Sequence, residues 1–298
     1  LFVLALAEAM RAQQAGGDLT SKVQLAVLEN TAGAYEDAAR NALAVEQNHD
    51  LTNEVRASAA GIAGLSYESL HQADKAVQYL REAIELDPSQ ENSYLALADL
   101  LEQSQKYSDA VSVLDQGRAN IPGSLAILLP LGVDLVRAER YKEGAAVLRR
   151  VLEKAPETEQ AYISIADASR KMGDTAQEIT ALRTLARYKP GYPMIHVLIA
   201  RAMLNQDPVQ YPKVLEELSL AAKSAPTDPD VFFLRGKAYV ALGRYNEALS
   251  ALQRSIELRP LEPSPYYQLA RVYQKLGRPE MAREQFERVK FLETSNAN

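Results

Sequence analysis

An all-α solenoid of antiparallel helix hairpins is the fold this sequence predicts, and three registers sharing one period predict it. Prolines fall at Pro88, Pro122, Pro156, Pro190, Pro226 and Pro260, separated by 34, 34, 34, 36 and 34 residues. Small residues recur in phase at Ala26, Gly64, Ala98, Gly132, Ala166, Ala200, Gly236 and Ala270. Bulky apolar residues keep the same step at Leu80, Leu114, Leu148, Leu182, Leu218, Leu252 and Phe286. A fixed period of this length marks a stacked array, in which each unit buries its apolar face only when a neighbour covers it.

The segment from Asp230 to Pro260 shows how one unit is built. Apolar residues repeat at helical spacing on either side of Leu242-Gly243-Arg244, so two helices flank a tight turn. Gly243 supplies the left-handed geometry that ends the first helix, and Pro260 cannot continue the second. Gly236 and Ala248 let the two backbones approach, while Tyr239 and Leu252 fill the remaining space. Tyr239-x-x-Leu242-Gly243-x-Tyr245-x-x-Ala248, and Tyr67-x-x-Leu70 through Ala76 to Leu86-Asp87-Pro88, resemble the tetratricopeptide repeat. The resemblance implies a right-handed superhelical solenoid of about eight 34-residue repeats.

Taken in order, residues 1–18 precede the array, and residues 19–298 form it. Units start near Leu19, Ala57, Glu91, Leu125, Glu159, Pro193, Pro229 and Pro263. The first runs 38 residues, lacks a closing proline and carries its extra length around Asn48-His49-Asp50. In the fourth, Pro130 lies inside the first helix, removes a backbone bond to Ala126 and is expected to bend that helix. The fifth and sixth place Glu178 and Val214 where a small residue is expected, which predicts looser hairpins. The sixth also has two extra residues in its turn, within Asn205–Pro212. The last unit ends without an obvious polar capping helix, leaving Phe286 and Phe291 poorly covered.

Residues 1–18 admit two readings. Leu1 to Ala9 has the character of the end of a secretory apolar region, with Ala7-Glu8-Ala9 as a cleavage signal. A capping helix or the remnant of a preceding unit explains the same stretch. Localisation therefore stays open between cytoplasmic and periplasmic or secreted. No apolar run reaches the roughly 18 residues of a membrane span. The net charge of −6 argues against nucleic acid as the main partner.

Chemistry is sparse. The chain has no cysteine, which excludes disulfides, thiolate zinc sites and a cysteine nucleophile. Its three histidines, His49, His71 and His196, fall in different units. His49 and His71 sit in predicted turns; His196 takes a packing position filled elsewhere by Tyr94, Tyr162, Phe232 and Tyr266. Glu143 and Glu178 are read as surface carboxylates. No nucleophile elbow, zinc-protease, phosphate-loop or dinucleotide pattern is present. We expect no catalytic residues, no metal and no cofactor.

Binding is what the pattern supports. In the family this chain resembles, first helices line a concave groove, and residues at i, i+4 and i+7 project from one face. The predicted groove is Leu95, Asp99, Leu129, Val133, Ile163, Arg170, Val197, Arg201, Phe233, Lys237, Tyr267 and Arg271. Within it Leu95, Leu129, Ile163, Val197, Phe233 and Tyr267 form an apolar ladder. Charge changes sign along it, from Glu68, Asp99 and Glu102 to Arg170, Lys171, Arg201, Lys237, Arg271 and Lys275. Such a face suits an acidic or amphipathic peptide segment, with charge fixing its polarity. The competing explanation is solvated faces with local ion pairs. Some relatives grip chaperone C-termini with a Lys and Asn clamp; here its positions hold Leu95, Asp99, Leu129 and Val133, so that partner is not expected.

Three functions fit. One is a non-enzymatic scaffold that captures a partner's peptide, with residues 137–275 contributing most. Self-association through the array ends is a variant of it. The others are a regulatory or recruiting domain of a larger enzyme or secretion complex, and a periplasmic envelope-assembly factor.

Overall fold

The computed structural model describes residues 19–192 and 194–296. The 1–18 stretch with its two readings, and Pro193 at the start of the sixth unit, lie outside the described residues. Sixteen α-helices and no strand occur among the described residues, paired as eight hairpins. The first helices are α1 (Leu19–Ala32), α3 (Asn53–Ser69), α5 (Glu91–Gln103), α7 (Leu125–Arg137), α9 (Glu159–Lys171), α11 (Ile195–Met203), α13 (Pro229–Ala241) and α15 (Pro263–Lys275). Their partners are α2 (Tyr35–Glu46), α4 (Ala73–Leu86), α6 (Tyr107–Asn120), α8 (Tyr141–Lys154), α10 (Thr175–Tyr188), α12 (Tyr211–Ser224), α14 (Tyr245–Leu258) and α16 (Pro279–Asn296). None of these helices is long and apolar enough to cross a membrane.

The hairpins gather into two compact units, one ending at Pro156 and one beginning at Glu157. Within each, every helix packs on the next, so stacking between hairpins continues the packing within them. The first unit holds a core that includes Leu80, Tyr94, Leu97, Leu114, Ile127 and Leu131. In the second, Leu252, Leu269, Val272 and Tyr273 form the corresponding cluster.

The small-residue register works as a contact point. A Cβ placed on Gly64, Gly132 or Gly236 would lie 2.6 Å from Leu80, Leu148 or Leu252 of the partner helix. The turn register is equally regular. Gly33, Gly173, Gly243 and Gly277 take φ between 69° and 83°, and His71, Gln105 and Glu139 take 57° to 62° at the same position. Each turn then closes with an N–H bonded back across it, as from Arg244 to the Tyr239 carbonyl at 2.9 Å. This is the Schellman closure expected of Gly243, here built with and without glycine. The closing proline also has a polar use: the hydroxyls of Tyr94 and Tyr266 donate to the carbonyls of Pro88 and Pro260, at 3.2 and 3.0 Å.

Irregular units behave individually. In the first, the extra length forms a turn in which Asp50 N–H donates to Asn48, and Thr52 caps α3 through Val55 N–H. Helix α3 consequently starts at Asn53, four residues ahead of the expected Ala57. Helix α7 continues through Pro130. In the sixth unit Met194 is left-handed at φ 62°, and α11 spans only Ile195–Met203. Val214 is fully buried in that hairpin. Glu178 is buried too, which corrects its reading as a surface carboxylate; burial raises its pKa, partly offset by Arg170.

Candidate functional site

First helices of successive hairpins touch directly within each unit, α1 to α3 to α5 to α7 in one and α11 to α13 to α15 in the other. Side chains at i, i+4 and i+7 on these helices therefore share one face per unit. The predicted groove residues differ in exposure. Asp99, Arg170, Arg201, Lys237, Tyr267 and Arg271 are exposed, and Leu95, Leu129, Ile163 and Phe233 are half-buried.

Two predicted members are buried. Val133 is 8% exposed and Val197 only 1%. Helix α7 is apolar nearly all round, and its run from Leu131 to Val136 is enclosed. Helix α11 is short and likewise buried on most sides, with Ile195, Val197, Ile199 and Ala200 inside. The apolar ladder is thus broken at Val197, and its accessible aromatic end is Phe233 and Tyr267.

Charge divides the face further. Arg170 bonds Asp167 one turn back on its own helix. The Arg201 guanidinium donates to one Asp230 oxygen at 2.8 Å, and Arg259 donates to the other at 3.0 Å. This triad borders a cleft of about 240 Å³ whose wall includes Phe233, Leu234 and Pro265. Local ion pairs therefore satisfy two of the six basic positions. Lys171, Lys237, Arg271 and Lys275 have no carboxylate partner among the described residues. Lys237 lies 5.9 Å from the Phe233 ring centre, and Tyr267 meets Phe286 edge-on at 5.8 Å. On α13 and α15, unpaired cations thus alternate with aromatic rings.

The opposite arrangement stands in the first unit. One amide, Gln103 Nε2, donates to both Glu68 at 3.1 Å and Asp99 at 3.0 Å. Glu102 bonds Arg137, which also reaches buried Asp134 at 3.3 Å. Burial and the neighbouring Glu102 push Asp134 up to about 7. A second carboxylate pair joins α2 to α4. Burial and a hydrogen bond to Glu46 raise Glu82 to about 7, while Arg56 sits 3.4 Å from Glu46. Sequence reading missed both pairs, because their members stand 32 and 36 residues apart with no motif between them.

His196 is half-buried, with Nδ1 2.9 Å from the Glu217 carboxylate. His49 and His71 lie in turns. Among the described residues no cluster is suited to a metal ion.

Comparison with known proteins is consistent with this architecture. Tetratricopeptide repeat profiles match residues 69–129, 129–203 and 266–290, and a TPR repeat profile matches 236–277. No curated protein sequence matches. Among solved structures, YrrB, described as a TPR protein with an unusual peptide-binding site, is 16% identical with a TM-score of 0.54. The similarity covers 64% of this chain and 97% of YrrB. Pseudomonas aeruginosa pilF is 19% identical with a TM-score of 0.53, over 70% of this chain and 94% of its own. A tetratricopeptide repeat protein from Parabacteroides merdae is 11% identical with a TM-score of 0.54, over 85% and 98%. Identities this low speak for a shared fold.

Proposed function

The chain belongs to the tetratricopeptide repeat family, a family of protein-interaction scaffolds, and from that premise we propose that it is a non-enzymatic scaffold whose second unit captures an acidic amphipathic peptide. One observation carries the reading: Lys237 and Arg271 are exposed, with no carboxylate partner among the described residues, beside Phe233 and Tyr267 on adjacent first helices. An apolar side chain of the ligand packs on the rings, and its carboxylates meet the free cations. Such contacts set register and association rate as much as affinity.

The face is tested with a labelled Leu/Glu amphipathic peptide titrated into the full chain. Lys237→Glu/Arg271→Glu is expected to weaken binding at least about tenfold while the melting temperature holds. Arg201 is the poorer choice for reversal, since it already pairs with Asp230 and a Glu there would set two carboxylates against each other. Unchanged affinity in the Lys237→Glu/Arg271→Glu variant would remove α13 and α15 from the site.

A further inference from the structure

We propose that the first unit carries a second docking surface of opposite polarity, on α1, α3 and α5, for a cationic amphipathic segment of a partner protein. Its apolar part is a cleft of about 360 Å³ lined by Val23, Val27, Gly61, Ile62 and Leu65, with Asn92 on its rim. Val27 is 47% exposed and Leu65 36% exposed, so the apolar lining is open to a ligand.

The charged part adjoins it. Glu68 follows Leu65 by one helical turn and therefore lies on the same face. Asp99 stands on the neighbouring helix, and the Gln103 amide holds both carboxylates side by side. An amide positions two carboxylates without neutralising either. Among the described residues no Lys, Arg or His pairs with Glu68 or Asp99. The next carboxylates along the face, Glu102 and Asp134, share the single guanidinium of Arg137. Arg137 is thus already engaged and cannot serve Glu68 and Asp99.

The surroundings have the same sign. Residues 1–156 hold 22 acidic and 14 basic side chains, a net of −8, against 17 and 19, a net of +2, in 157–298. A field of that sign raises the encounter rate of a cationic segment and repels an acidic one. The ligand chemistry follows: an apolar side chain seated against Val27 and Leu65, with Lys or Arg one turn away reaching Glu68 and Asp99. The groups involved are separate from α13 and α15, so this surface stands whether or not the second unit binds acidic peptides.

The test uses the full chain and a labelled Leu/Lys amphipathic peptide, with the Leu/Glu peptide as its counterpart. Wild type should bind the Leu/Lys probe, and binding should weaken with added salt. The isosteric variant Glu68→Gln/Asp99→Asn should lose about tenfold in affinity, and Leu65→Asn should lose a comparable factor. Lys237→Glu/Arg271→Glu should leave this binding intact. Asp74→Asn/Asp109→Asn removes equal charge from the second helices of the same hairpins and should also leave it intact. Equal losses in that control would mean diffuse attraction and overturn the site. No loss in Glu68→Gln/Asp99→Asn would overturn it as well. Sedimentation gives a further check: self-association of wild type that Glu68→Gln/Asp99→Asn abolishes would make the occupant a second copy of this chain, against the proposal.

Discussion

Three hairpins turn on a side chain where four turn on glycine. His71, Gln105 and Glu139 hold φ near 60° at the position Gly33, Gly173, Gly243 and Gly277 occupy. A side chain in that region brings its Cβ close to the following carbonyl, at about 1–2 kcal/mol for most residues. Glycine removes the strain but adds freedom to the unfolded chain, so the net gain is smaller. His71→Gly, Gln105→Gly and Glu139→Gly should each stabilise the protein by about 0.5–1 kcal/mol, read as a higher urea midpoint. A midpoint that stays put or falls in all three would show that these turns bear no strain. Gly243 revealed the turn geometry in sequence; the three side-chain turns could be located only by counting from it.

At the level of the helix pair, the legible features are those that repeat. Gly236 and Leu252 come into contact because the small and bulky registers place them on facing helices, and the same contact recurs at Gly64 and Gly132. Gly236→Leu forces a four-carbon side chain into space Leu252 already fills. Overpacking of this kind should cost about 1–3 kcal/mol, visible as a lower melting temperature with helicity retained before the transition. An unaltered melt would mean that α13 and α14 separate without penalty. Features that do not repeat escaped the sequence. Arg201 is neutralised by Asp230 at a spacing of 29, off the period, so its charge looked available. Val197 looked like part of an exposed ladder because its register matches Phe233. Helix α11 begins after left-handed Met194, is only nine residues long and buries that side chain. Position in the repeat decides which way a residue points; exposure depends on how that particular unit closes.

Over the whole chain, the two units differ in charge and so should differ in their response to pH. Glu82 and Asp134, both in the first unit, are raised to about 7 by burial and by a neighbouring carboxylate. In the unfolded chain such groups release their proton near pH 4. Their native pKa lies above the unfolded value, so the proton they hold stabilises the fold fully below about pH 4. That contribution is lost as pH rises through about 7. Among the described residues the second unit has one carboxylate shifted the same way, Glu178, with Arg170 opposing the rise. Between about pH 5 and about pH 8, hydrogen exchange corrected for its intrinsic rate should show protection falling in α1–α8, and falling less in α9–α16. Glu82→Gln/Asp134→Asn, which keeps each shape without the charge, should flatten the first unit's dependence. A slope that survives both substitutions would assign the effect to other groups. The same ionisation bears on binding. Losing the Asp134 proton adds negative charge beside Glu102, next to the face assigned to a cationic segment. The pH rise that loosens the first unit should therefore strengthen its attraction for Lys and Arg, and a bound cationic segment should restore part of the lost protection.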